Sequence, residues 1–504
     1  MSALTASALS TVGKAMTIHL FRFDLRLHDN QALTTSLNNA RQTQTPFLPL
    51  YIFDPAQLSK QSPSRLKFLL ESVSTLRTSL QNNLCIRIGD PVQIISEEFP
   101  EAAIFTQLEP CRDERKISQS LDATEIHGTY LYSPSDLPFP LSQMPDVFTP
   151  FRSKMEKSKS IDINFTTCNL DNVVILECDK GKIPELSELT SQPLPTFDSR
   201  SVLNFTGGED KALERVNDYI FKQDNLKNYF NTRNGLIGAT YSTKLSPWLA
   251  LGCLSPRYVA KMVKKYEQER VENKSTYWLI FELLVRDFCR LFALKHGDKI
   301  FLLDGILGRR AHGGHQNSVK WSLDTGYANS KADSWKEGRT GYPFVDANMR
   351  ELKATGFMSN RGRQNVASFL ALDLNQDWRF GAEHFEEYLL DYDIYSNYVS
   401  WCMAAGMTGG RVNKFNVIKQ AKDYDPEGEY VKLWCPELSS VPKEYIFEPW
   451  KMSKEKQQEY NCVVGRDYPE RVVEMKVFKP RTDKPKKEKK MKEKYKGGFY
   501  KVVG

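Results

Sequence analysis

Residues 378–401, WRFGAEHFEEYLLDYDIYSNYVSW, decide how this chain is read. Asp393, Asn397 and Trp401 stand four residues apart each time. On an α-helix that spacing puts a carboxylate, a neutral amide and an indole on one face, about 6 Å apart along the axis. The row is poor equipment for hydrolysis. It suits holding a redox-active heterocycle and passing it an electron. Asp391 comes just before it, and Trp378 lies upstream. An amphipathic helix with core aromatics and a solvated acidic end would give the same pattern, so the rest of the chain must choose.

At 504 residues, 40% hydrophobic and 12% aromatic, the chain can hold two or more domains around a sizeable core. No apolar run approaches the roughly 18–20 residues of a membrane span. The nine cysteines are scattered, with no CxxC and no paired metal spacing. That points to a reducing compartment, and to neither a disulfide frame nor a zinc site. His312 and His315 come closest to a ligand pair and read as loop residues. No metal is expected. The net charge of +7 is concentrated: residues 476–496 carry eleven Lys/Arg against three Asp/Glu, a net of +8, which leaves the rest at −1. A nucleic-acid site in the body is therefore a local patch.

Five apolar runs in the first third, at 17–23, 47–53, 84–88, 102–106 and 128–132, alternate with helical patterns at 64–80 and 111–126. This is the βαβ rhythm of a parallel sheet with helices on both faces. No GxGxxG follows the first strand, so the usual dinucleotide fingerprint is absent. The sequence predicts a flexible extension over 1–16, an α/β domain over 17–150 and a proline-rich connector over 151–210, with a short helix near 149–158. A strand-poor helical domain follows over 211–475, then a basic, disordered tail over 476–504. The tail is open between a nuclear localisation signal, a non-specific nucleic-acid contact and a solubilising end. The compartment stays open between nucleus, cytoplasm, mitochondrion and plastid.

Three further stretches carry chemistry. In YSTKLSPWLALGCLSPR (241–257), hydroxyls and Lys244 ahead of a helix make an anion seat or an ordinary N-cap. WLIFELLVRDFCRLFALKHGD (278–298) reads as a buried helix in which Glu282 and Arg286 are i, i+4. They form a local salt bridge, or Glu282 faces a cavity and meets a substrate amide edge. In the third stretch (338–374), Asn360, Arg361 and Arg363 begin an apolar helix, and Arg363 is placed to pair with Asp391.

These strings, with FRFDLRLHDN, NRGRQN, DPEGEYVKLWCPEL and FEPW, make residues 17–450 resemble the photolyase/cryptochrome family, its DASH-type cryptochromes in particular. The resemblance implies an α/β, Rossmann-like antenna domain joined to an all-α domain holding FAD. It implies that Ser242, Thr243, Lys244, Leu245 and Ser246 grip the FAD phosphates, with Tyr229 preceding them. Asp391 and Asp393 would lie beside the isoalloxazine and ribose, Arg363 would pair with Asp391, and Asn397 would face flavin N5. Trp401 and Trp378 match the inner members of a tryptophan electron-transfer chain, and Trp321, or else Trp335, the outer one. Glu282 and Asn360 match substrate-facing residues of cyclobutane pyrimidine dimer enzymes, with Arg286, Arg361 and Met403 on the nucleic-acid side. Val285 and Met403 stand where many such enzymes have lesion-stacking aromatics. Stacking is worth about 1–3 kcal/mol per base, and extruding a base from a duplex costs a few kcal/mol. The expectation is light-driven repair with a preference for single-stranded DNA, RNA being a possible further partner. The runner-up is a blue-light photoreceptor with little or no repair. A methenyltetrahydrofolate antenna is implied, with Glu109 as its contact or else an ordinary surface glutamate. The chain is expected to be monomeric and not membrane-bound.

Overall fold

A computed structural model describes residues 14–158, 160–308, 321–322, 330–410 and 412–475, and the backbone of 502–503. The two histidines of RRAHGGHQN, nearly all of the N-terminal extension and the charged run of the tail lie outside the described residues. Met16–Phe21 (β1), Phe47–Phe53 (β2), Cys85–Ile88 (β3), Ala102–Gln107 (β4) and Thr124–Ile126 (β5) form one parallel sheet, ordered β3-β2-β1-β4-β5. Every residue of β2 and β4 is buried, as befits parallel strands covered on both faces. Pro49 sits in β2 without an N–H to give, and the ladder to β3 starts only at Leu50. The helix expected over 64–80 spans Pro63–Ser79, and the one near 149–158 spans Phe148–Ser158.

The fifth strand is not at 128–132. It is the three-residue TEI upstream, and the helix expected to run to 126 stops at Ser120. The more apolar GTYLY is buried by another route: Leu131 and Tyr132 donate their N–H groups to the Asp287 carboxylate at 3.0 and 2.7 Å. Asp287 belongs to the Lys274–His296 helix, the long buried axis of the second half. The connector runs along the sheet edge, where Leu176 N–H donates to Phe47 O and Ile86 N–H to Lys180 O.

The two halves meet at Gly252, of the LALGCLSPR stretch. A Cβ there would lie 2.0 Å from Phe23 O, and its backbone is left-handed. Arg26 donates to Gly252 O at 2.8 Å and also to Gly128 O and Asp29 O, so one buried guanidinium ties both halves together. No helix among the described residues is long and apolar enough to cross a membrane.

Candidate functional site

A cavity of about 310 Å³ opens in the helical half. Its walls include Tyr229, Ser242, Thr243, Lys244, Leu245, Ser246, Glu282, Arg286, Asn360, Arg363, Asp391 and Asp393, residues the sequence reading drew from five separate stretches.

The 241–246 loop is held from behind by Arg215, which donates to Thr243 O at 2.9 Å and Ala239 O at 2.7 Å. Lys244 takes a left-handed backbone, φ 55°, uncommon for a residue with a side chain and a frequent mark of functional sites. Its ammonium is buried, 3.1 Å from the centre of the Tyr241 ring, with Ser242 Oγ at 3.5 Å. No carboxylate among the described residues is within ion-pair distance of it. Burial, then the nearby Arg215, pushes its pKa down to about 6, against the pull of Glu351. The buried Tyr241 hydroxyl also lacks a partner. A desolvated cation and an unsatisfied hydroxyl on one wall suit an anion.

Opposite, Arg363 Nη2 donates to both oxygens of Asp391 at 2.9 and 2.8 Å. Asn360 is exposed at the start of the Asn360–Ser368 helix, which Ser359 caps. Asp393 is not the first residue of a helical face. It caps the Ile394–Ala404 helix, accepting from Ser396 N–H at 2.8 Å, because an acid at a helix start meets unpaired N–H groups. Burial works against its charge, but Arg290 at 3.1 Å and Arg286 at 4.0 Å hold its pKa below the usual value. Asn397 and Trp401 lie on the same helix, buried behind Ser396 and Ser400, which reach the cavity. The Asn397 amide donates to Ala382 O at 3.0 Å.

Trp401 packs against Gly381, where a Cβ would come within 2.2 Å of the indole. Trp378 is buried, donates to Leu303 O at 3.0 Å and lies 6.4 Å from the Tyr398 ring. Trp335 is wholly buried and 6.1 Å from Trp401, centre to centre. Trp335 thus packs beside Trp401 in the interior, whereas Trp321 is partly exposed.

Glu282 does not bridge to Arg286. It accepts from Arg233 at 3.0 Å and from the Trp278 indole at 3.1 Å, while Arg286 turns the other way, to Thr129 O and Leu249 O. Those bonds, with Asp393 at 4.0 Å, brace Arg286 inside the molecule. Burial raises the Glu282 pKa, although Arg233 opposes the shift. Arg361 is tied to Asn234 and Gln364 and lies over Tyr424. Val285 reaches the cavity wall, and Met403 packs partly buried against the core.

Glu109 is no surface residue. It is 1% exposed, ion-paired to Arg290 at 3.0 Å, and accepts from the Tyr395 hydroxyl. Burial raises its pKa to about 7, against Arg290 and Tyr395. It lines a second cavity of about 150 Å³ between the sheet and the helical half, with Arg22, Arg65, Glu114 and Tyr392. Arg22 Nη2, Glu109 Oε1, Glu114 Oε2 and the Tyr392 hydroxyl have no protein partner there. Sequence reasoning missed Arg290, which joins Glu109 to Asp393. An arginine one turn beyond Arg286 in an apolar helix was the available signal.

A Rossmann-like sheet fused to a helical body, with an anion-ready cavity in the latter, defines a flavin-binding, photolyase-type core. Residues 278–486 match the FAD binding domain of DNA photolyase, and residues 17–168 match the DNA photolyase family. The cryptochrome DASH of Ostreococcus tauri, chloroplastic/mitochondrial by its description, is 44% identical, covering 92% of this chain and 90% of its own length. The cryptochrome DASH of Xenopus laevis is 42% identical over 90% of this chain and 89% of its own. A crystal structure of a Synechocystis cryptochrome superposes with a TM-score of 0.82 at 40% identity, covering 91% of this chain and 96% of its own. The chain belongs to the photolyase/cryptochrome family, in its DASH-type branch. The residues present fit FAD: Lys244 and the 242–246 loop suit its pyrophosphate, and the carboxylates and Arg363 suit its polar rings and ribose.

Proposed function

We propose that this protein is a light-dependent photolyase that splits cyclobutane pyrimidine dimers, preferentially in single-stranded DNA, with methenyltetrahydrofolate as its antenna. Bound in the first cavity, reduced FAD would supply the light-driven one-electron chemistry that opening the dimer ring requires. The chain's own part is positioning and electrostatics. Lys244, Ser242, Thr243 and Ser246 hold the pyrophosphate, Tyr229 and Leu245 close that wall, and Arg363 with Asp391 braces the ring edge. Glu282 carries the proposal: a carboxyl with a raised pKa, lining the same cavity as Lys244, is set to hydrogen-bond a pyrimidine carbonyl as charge develops on it. Asn360 supplies a neutral second contact. Arg361 and Met403 are assigned to the nucleic-acid side. Trp401, Trp378 and Trp321 are assigned to electron resupply, and Asn397 to the neutral environment beside the flavin. The unpaired polar atoms of the second cavity suit a folate-type ligand, with Glu109 as one contact.

The test is to reduce the purified protein and illuminate it with dimer-bearing oligonucleotides, single- and double-stranded. Dimers should be lost from single strands and much more slowly from duplexes, since Val285 and Met403 offer no aromatic face to a flipped lesion. Equal loss from both would remove the strand preference. No loss from either would remove repair and leave photoreception.

A further inference from the structure

Outside both cavities, two thiols meet at the sheet edge. Cys85 opens the edge strand β3 and is fully buried; Cys178 lies on the connector beside it and is partly exposed. The backbones are fastened by the Ile86 N–H to Lys180 O bond at 2.8 Å, and Cys85 Sγ lies 3.7 Å from Asp179 O. Burial pushes the Cys85 thiol up to about 12, against Arg87 beside it, so Cys85 stays a thiol. Each sulfur has its own cation: Arg87 Nη1 is 3.2 Å from Cys85 Sγ, and Lys180 Nζ is 3.7 Å from Cys178 Sγ. Arg87 is fixed in turn by Glu98 at 2.8 Å and Asp179 O at 3.1 Å, so the arrangement does not depend on a wandering side chain.

Cys178 is the sulfur of the two that a peroxide can reach, and Lys180 stands beside it. A second thiol on the neighbouring strand lets a sulfenic acid close to a disulfide instead of oxidising further. We propose that Cys178 and Cys85 form a peroxide-responsive dithiol, an oxidation site that reversibly staples the connector to β3. Hydrogen peroxide converts the Cys178 thiol to a sulfenic acid and leaves as one water. The Cys85 sulfur then attacks the sulfenic sulfur, the S–S bond forms, and the hydroxyl departs with the Cys85 proton as a second water. Two thiols are oxidised by two electrons, and one peroxide is reduced to two waters. Cys178 meets the oxidant because it is the exposed partner, and Cys85 resolves from behind. A dithiol reductant reverses the change. The cross-link closes the chain from 85 to 178 and so restrains the unfolded state. The oxidised protein should melt at a higher temperature.

The experiment treats the reduced full-length protein with hydrogen peroxide in the dark, then alkylates it and maps its peptides by mass spectrometry. The expected product is a Cys85–Cys178 cross-linked peptide lighter by two hydrogen atoms. Free thiols should fall from nine to seven, and dithiothreitol should restore them. In Cys85→Ser, Cys178 should stop at the sulfenic acid and be captured by dimedone. Because Cys85 is buried and that variant could fail to fold, the wild-type peptide map stands as a test by itself. Cys178 remaining fully alkylatable, advancing to sulfinic acid without the cross-link, or pairing with another cysteine would each overturn the proposal.

Discussion

The two cavities are built from the same residue types and differ in how their charges are balanced. In the flavin cavity, Lys244 lies over an aromatic ring beside a hydroxyl, and among the described residues no carboxylate forms an ion pair with it. In the cavity between the halves, Glu109 is closed on Arg290 and Tyr395, and Arg290 passes on to Asp393. The first lacks an anion to complete it. The second is already a wired network with a few unpaired atoms at its edge. Burial alone marks neither as a ligand site; what distinguishes them is whether the protein has supplied the counter-charge.

The hardest test of that contrast is to cut the frame behind the second cavity. Asp287→Ala leaves the buried N–H groups of Leu131 and Tyr132 without an acceptor, at about 1–3 kcal/mol each. Urea unfolding should show a loss of about 2–5 kcal/mol; a loss under 1 kcal/mol would mean the two halves are held by other contacts. Next, Lys244→Met should weaken FAD binding about tenfold to a hundredfold, the worth of a charge-assisted hydrogen bond at 1.5–3 kcal/mol. Spectroscopic titration of the apoprotein reads this directly. Trp401→Phe should slow flavin photoreduction at least about tenfold, equivalent to about 1.4 kcal/mol in the barrier; an unchanged rate would move the electron route elsewhere.

The pH dependence of FAD affinity is a gentler probe. The Lys244 pKa is pushed down to about 6 and that of Glu351 up to about 8, both chiefly by burial. An anionic ligand favours charged Lys244 and neutral Glu351, so both take up protons on binding. Affinity should rise as pH falls, through Glu351 above about 8 and through Lys244 down to about 6, by at most about tenfold per unit per group, and level off below. In Lys244→Met the slope near pH 6 should vanish. The smallest effect belongs to Glu109→Gln, which should leave FAD affinity within about twofold. A loss matching that of Lys244→Met would show the two cavities to be one electrostatic unit.

Four of the five strands were legible because buried parallel strands are continuous apolar runs. Thr124–Ile126 was not: it is short and half polar, and GTYLY nearby is the stronger apolar signal. Its burial depends on Asp287, more than 150 residues away. The cavity was legible as a set of residue types, but its pairings were not. The i, i+4 rule joins Glu282 to Arg286 on one helix, whereas Glu282 turns to Arg233 across the cavity mouth. The four-residue spacing likewise set Asp393 on the helix face when its position makes it the cap. The left-handed turn at Lys244, which lays the ammonium over Tyr241, leaves no mark in the sequence because nothing there resembles glycine.

Gly381 lies one turn into the Trp378–Tyr388 helix, which begins with one indole and makes room for another. Its missing side chain acts as a spacer of negative size. Any substituent would have to displace Trp401 or the helix that carries Trp378, altering the gap between the two indoles while leaving both residues in the sequence. On the proposed electron route the position is therefore a tuning point: the cofactor pocket stays whole and coloured while the current reaching it falls. A survey that scored this protein by its tryptophans alone would pass over that residue.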